Sequence, residues 1–233
     1  MPPQTRLAIA LGALTLTLPS LAGRPLQTED AGLLDRGACE IEGVQQRLRV
    51  QGETGTENGL AANCGIGFNS QVGLGLAWAR TAGERSRSAG IGGKTGLWAG
   101  EGDGAPALAL AWGVGAARDG SHWRRSDHFA TLVASVGAGP GTLHLNLGHV
   151  REREPRRTIT TWNLAWEHDG YAIGGLTLAP MGEVFGDDRG DRWWNLAARL
   201  TLVPERAFFD VSYGRQTEAE KARLVTAGFK LTF

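Results

Sequence analysis

A two-residue alternation that runs to the last residue constrains this chain more than any other feature. From Arg223 it reads Arg-Leu-Val-Thr-Ala-Gly-Phe-Lys-Leu-Thr-Phe. Val225, Ala227, Phe229, Leu231 and Phe233 fall on one face; Leu224, Thr226, Gly228, Lys230 and Thr232 fall on the other. This period belongs to a strand with one face in an apolar medium and the other in a polar one. A carboxylate beside Phe233 would be badly placed in a soluble core, and it suits the rim of a membrane barrel. The competing reading is the final strand of a secreted soluble sheet.

The opening residues favour the membrane. Leu7–Leu18 is an apolar and Thr/Gly stretch behind a single basic residue, and Pro19-Ser20-Leu21-Ala22 supplies a small-x-small cleavage pattern. This predicts a signal peptide over 1–22, with an uncleaved anchor as the alternative. Beyond Gly23 no apolar run is long enough for a spanning helix, and mean hydropathy is −0.19. Spanning strands produce that profile, because only alternate residues meet lipid. The formal net charge of zero, without a basic stripe, argues against a nucleic-acid partner.

Cys39 and Cys64 are the two cysteines of a chain read as exported, so a disulfide is expected. Closing that loop of about 25 residues would stabilise by about 3 kcal/mol. Metal binding by two cysteines without clustered histidines is the weaker alternative.

Arg24–Gly37 has neither helical nor strand periodicity, and 23–37 reads as a periplasmic lead that could tuck into a barrel mouth. Alternating segments then recur at about 38–50, 57–66, 70–80, 89–100, 105–117, 128–138, 141–151, 157–168, 171–185, 192–203, 206–215 and 222–233. The prediction is an all-β fold, a closed antiparallel transmembrane barrel over 38–233 with twelve strands, ten being the alternative count. Short links such as Phe68–Gln71 and Gly139–Gly141 alternate with longer charged ones such as Thr81–Ser88 and Arg118–Asp127. Short periplasmic turns and longer outer loops would give that rhythm; a soluble sandwich gives no reason for it.

Large apolar residues share faces at Val72, Leu74, Leu76 and Trp78, at Leu108, Leu110, Trp112 and Val114, at Leu143, Leu145 and Leu147, and at Trp194 and Leu196. On this parity Trp78, Trp112 and Trp194 form an outer aromatic level, and Trp166, Tyr171 and Phe233 an inner one, as in an interfacial girdle. The opposite parity assigns Glu40, Glu42, Lys94, His144, Asn146, Asn163, Glu167, Asn195, Arg199, Asp210 and Lys230 to the lumen. Closing the last strand on the first brings Lys230 near Glu40 or Glu42. These groups either form a network that plugs the barrel or line a polar path.

Other motifs carry less. Gly113-Val-Gly115 and Gly137-Ala-Gly139-Pro-Gly141 lack the strand–loop–helix setting of a phosphate cradle. Arg189-Gly190-Asp191 reads as a chance tripeptide, and Asp187, Asp188 and Asp191 as a solvated loop. Ser121-His122 shows no nucleophile held against a base, and His144 pointing inward counts against a lipid-cleaving Ser/His pair. The reading is non-enzymatic, with no cofactor and no metal.

The ending at Phe233 resembles the C-terminal signature of bacterial outer-membrane barrels, which implies the barrel-assembly machinery as a partner. Arg24-Pro25-Leu26-x-Thr28-Glu29-Asp30-Ala31-Gly32, with Gly37-x-Cys39-Glu40 and Ala62-Asn63-Cys64, resembles the phenol-degradation (meta-pathway) outer-membrane family, often labelled transporter. The family's opening usually carries Asp where Glu29 stands. The resemblance covers about residues 24–64 and implies an outer-membrane barrel that moves small, in some cases aromatic, compounds. It also fits a disulfide clamping the first hairpin, with the outer turn near Gln51-Gly52. The expectation is a passive channel or transporter for a small solute, in contact with outer-membrane lipid and lipopolysaccharide. The alternative is a plugged envelope barrel whose surface loops bind a partner.

Overall fold

A computed structural model describes residues 25–119, 122–153, 156–218 and 221–233. The expected signal peptide over 1–22, Arg24 and Ser121 lie outside the described residues. The strands are β1 (Cys39–Val50), β2 (Glu53–Gly67), β3 (Ser70–Thr81), β4 (Glu84–Ala99), β5 (Ala107–Asp119), β6 (His122–Gly137) and β7 (Gly141–Glu152). They continue as β8 (Arg157–His168), β9 (Tyr171–Ile173), β10 (Leu176–Asp187), β11 (Arg192–Val203), β12 (Ala207–Gln216) and β13 (Arg223–Thr232). Successive strands pair antiparallel except that β8 pairs with β10, with β9 set only against β10; β13 pairs back onto β1, so the other twelve close a barrel with no free edge. At the seam Glu42 lies opposite Lys230, and Cys39 and Phe233 exchange backbone hydrogen bonds of 2.8 and 2.9 Å.

The alternation decides which side chains go where. Leu74, Leu76, Leu145, Leu147, Leu196, Phe229 and Leu231 are exposed on the outer wall, while Glu42, Asn63, Asp210 and Asn195 are buried inside it. The inversion makes sense only if lipid covers the outside. Cys39 and Cys64 face each other across β1 and β2 and are joined as a disulfide, Cα to Cα 4.1 Å.

Three expectations change. The segment read as one strand over 171–185 is broken at Gly174-Gly175, both at positive φ (56° and 85°), so β9 folds back on β10 as a hairpin. The long charged links near Thr81–Ser88 and Arg118–Asp127 are mostly not loops. β3 and β4 continue pairing to Thr81–Glu84, and β5 and β6 to Asp119–His122, because polar residues in water still satisfy their backbone groups by continuing the ladder. That extension also moves Trp112 away from the outer level. β5 runs on to Asp119, which leaves Trp112 mid-strand, and half-exposed Trp123 stands nearer the outer end.

The barrel is not empty. Residues 25–36 enter it and cross from the wall at β10 to the wall at β2, where Arg36 bridges Gly65 and Gly37 N donates to Gly65 O at 2.8 Å. A Cβ on Gly65 would run into the backbone carbonyls of Leu34 and Asp35, so this crossing needs glycine. Small wall residues make the remaining room. Leu26 (3% exposed) packs on Ala165, Ala179 and Met181, and Ala31 on Ala109, Ala111 and Val133. The small residues opposite the large lipid-facing ones on β5 are therefore the seat of another piece of chain.

Candidate functional site

The lead is held mainly by polar groups reaching inward from the wall. The Glu183 carboxylate on β10 accepts from Gln27 N (2.8 and 2.9 Å), Thr28 N (2.9 Å), Thr28 Oγ1 (2.7 Å) and Asn195 Nδ2 (2.8 Å). Asn163 Nδ2 donates to Gln27 O at 2.9 Å. The Asn146 amide, with its oxygen toward Glu29 N and its nitrogen toward Glu29 O, brackets that backbone at 2.6 and 3.0 Å. Ser135 Oγ accepts from Ala31 N at 2.9 Å and sits 2.8 Å from His144 Nδ1. Gln71 Oε1 accepts from Leu34 N at 2.9 Å. The extended lead thus satisfies its backbone through side chains instead of a ladder.

Lys94 on β4 anchors the middle. Its Nζ donates to Glu29 Oε1 and to Asp30 O, both at 2.8 Å, and lies 3.5 Å from Asp30 Oδ1. One cation therefore serves two carboxylates. Burial pushes the Glu29 carboxyl up to about 8, against the pull of Lys94 and with a further push from Asp30. Burial opposes the Asp30 charge too, but Lys94, Lys230 and His144 outweigh it and hold that carboxyl at about 2.

Two more such groups lie on the wall. Arg199 Nε donates to Asp210 Oδ1 at 2.9 Å and its Nη1 to Glu167 Oε1 at 3.3 Å, with the guanidinium 5.6 Å from the Phe208 ring centre. His144 Nε2 stands 3.9 Å from Glu167 Oε2. Lys230 Nζ is 2.7 Å from Glu40 Oε2 and 3.9 Å from Glu42 Oε1, and Asn63 Nδ2 donates to Glu40 Oε1 at 3.0 Å. The residues assigned to the lumen by parity thus gather around the Lys94, Arg199 and Lys230 groups or hold the lead.

Glu183, Glu29, Asp30, Ser135 and Gln71 do not appear in the sequence assignment. Parity on β10 sets Glu183 in a row between Met181 and Phe185, and an acid between those two apolar residues is the available signal. It is faint because β10 is apolar on both faces, Val184 being exposed outside. The outer end of the interior also departs from the polar reading. Leu48, Val50, Trp193 (4% exposed), Ala222 and Leu224 cluster there, and Phe185 stacks on Trp193 at 6.1 Å with the rings 3° from parallel.

Among the aromatics, Trp78, Tyr171 and Phe233 are exposed, and Trp112 is marginally so. Trp194 packs 5.7 Å from Tyr213, and Trp166 Nε1 donates to Ala138 O at 3.2 Å near the β6–β7 turn. Among the described residues no group of three or more His, Cys, Asp or Glu could hold a metal ion.

The architecture recurs in solved outer-membrane proteins. An outer membrane channel from Pseudomonas putida superposes with a TM-score of 0.60 at 9% identity, covering 89% of this chain and 100% of that one. The KdgM porin in complex with disordered oligogalacturonate gives 0.57 at 11% identity, covering 83% and 99%. The β domain of the Bordetella autotransporter BrkA gives 0.56 at 12%, covering 84% and 99%. At these identities the likeness is one of fold. Among curated proteins none matches the sequence. None of these matches speaks to phenol degradation. A family profile described as "Uncharacterised conserved protein UCP029691" matches residues 10–233, and the chain belongs to that family.

Proposed function

We propose that this chain is an outer-membrane channel for a small solute whose lumen is closed, in the state seen here, by its own N-terminal lead. The observation that carries it is the construction of the interior. A barrel serving only as an anchor can fill itself with its own wall side chains. Here Ala109, Ala111, Ala165 and Ala179 leave room that a separate segment occupies through polar contacts. Among those small apolar positions the wall behind the segment carries Glu183, Asn163, Ser135, Gln71 and Lys94, so its departure would leave a lining that water can wet.

The lining would be acidic. Lys94 loses Glu29 and Asp30 with the lead, but Arg199 and Lys230 still stand between two wall carboxylates each, and Glu183 adds another. Such a lumen favours cations and uncharged polar solutes over anions. Support for an aromatic solute comes from the family resemblance over residues 24–64 alone.

Single-channel recording of the refolded chain, beside Glu183→Ala and a deletion of residues 25–36, tests the proposal. The expected result is little conductance for the parent and a cation-preferring pore for both variants. Folded variants that stay silent would overturn it and favour a non-transporting envelope barrel, a reading that the same dense interior network supports.

A further inference from the structure

The outer end of β6, β7 and β8 carries charge of the opposite kind. A pocket of ≈ 290 Å³ there is lined by Arg125, His128, Arg151, Arg153 and Arg156 over the carboxylates of Asp127 and Glu152. The four arginines are exposed. The carboxylates are not: Asp127 is 3% and Glu152 1% exposed, with Ser126 Oγ donating to Asp127 at 2.9 Å and Arg157 closing on Glu152. Among the described residues lining the pocket, the four arginines are thus exposed while both acids are buried.

Their height on the wall matters as much as their charge. On the lipid side, the paired positions of β6 and β7 run Val136–Leu143, Ala134–Leu145, Leu132–Leu147, Ala130–His149 and His128–Arg151. The rise of ~3.4 Å per residue carries His128 about 27 Å along the strand from Val136, or about 20 Å along the axis at a tilt of ~40°. That is close to the apolar band of an outer-membrane barrel, about 25 Å tall. The column changes from aliphatic to cationic where hydrocarbon gives way to the outer headgroups.

We propose that this rim binds the phosphate groups of a phosphorylated glycolipid, the lipid A part of lipopolysaccharide, in the outer leaflet. Arginine suits the task because its planar fork bonds phosphate oxygens in pairs. Several guanidiniums over one pocket can bracket a lipid whose acyl chains lie along Leu132, Leu145 and Leu147 below. The site rests on the outer-membrane reading, not on whether the lumen conducts.

The test uses the full chain refolded into phosphatidylcholine vesicles, with thermal unfolding followed by heat-dependent gel mobility. Bisphosphorylated lipid A should raise the unfolding midpoint, since a ligand bound only by the folded state stabilises it. Dephosphorylated lipid A and free inorganic phosphate should not. A variant carrying Arg125→Gln, Arg151→Gln, Arg153→Gln and Arg156→Gln should need at least tenfold more lipid A for the same rise. Arg85→Gln with Arg87→Gln, exposed arginines of β4, should behave as the parent. An equal rise with dephosphorylated lipid A, a rise with free phosphate, or equal loss in the β4 variant would overturn the site. A chain that does not insert into the vesicles at all would instead count against the membrane reading beneath it.

Discussion

The interior and the outer rim handle charge in opposite ways. Inside, each cation is shared by two acids: Lys94 by Glu29 and Asp30, Arg199 by Asp210 and Glu167, Lys230 by Glu40 and Glu42. At the rim, four exposed arginines stand over two buried carboxylates, one already taken by Arg157. Charges withdrawn from water must be met by partners within the fold. The inner groups therefore carry structure, while the rim exposes its positive charge.

The sharpest way to break the comparison is at Glu183. Glu183→Ala removes the acceptor of Gln27 N, Thr28 N and Thr28 Oγ1, and hydrogen bonds to a charged group are worth about 1.5–3 kcal/mol each. Loss of two would move the lead's docking equilibrium by about a hundredfold or more. Single-channel open probability should rise accordingly, with little change in barrel unfolding.

Arg199→Ala should cost about 3–5 kcal/mol, because it removes the guanidinium shared by buried Asp210 and by Glu167. Arg199→Met with Asp210→Leu should recover most of that loss. Urea unfolding of both variants checks it, and equal destabilisation would mean that Arg199 acts through packing on Phe208. Next in size, replacing Cys39 and Cys64 with serine should lower stability by up to about 3 kcal/mol while leaving conductance alone.

The lead should also respond to pH. Docking raises the Glu29 carboxyl from 4.5 to about 8, so the docked lead binds a proton more readily than the free one. Its contribution is full below pH 4.5 and is lost as pH rises through about 8. Lys94 and the acids Asp30 and Glu42 face it and set that window. Conductance should climb across the interval, and Glu29→Gln should flatten the profile. The smallest effect belongs to the rim, where Arg151→Gln should shift stability in detergent by no more than about 0.5 kcal/mol.

Much of the wall was legible because lipid and lumen impose a period of two on every spanning strand. Trp78 and Leu76 outward and Lys230 opposite Glu42 follow from parity and antiparallel closure, and the Cys39–Cys64 bond from two cysteines in a chain read as exported. The rule failed where other physics took over. Glycines at positive φ cut β9 from β10, pairing in water carried β5 past Trp112, and β10 showed two apolar faces that masked Glu183.

By itself, the sequence determined the strands, their sidedness and the medium on each side, since these depend on neighbours one and two residues away. Only the tertiary structure decided what fills the barrel. The lead has no period of its own, and its partners Glu183, Lys94, Ser135 and Gln71 lie on strands distant in sequence that meet only when the sheet closes.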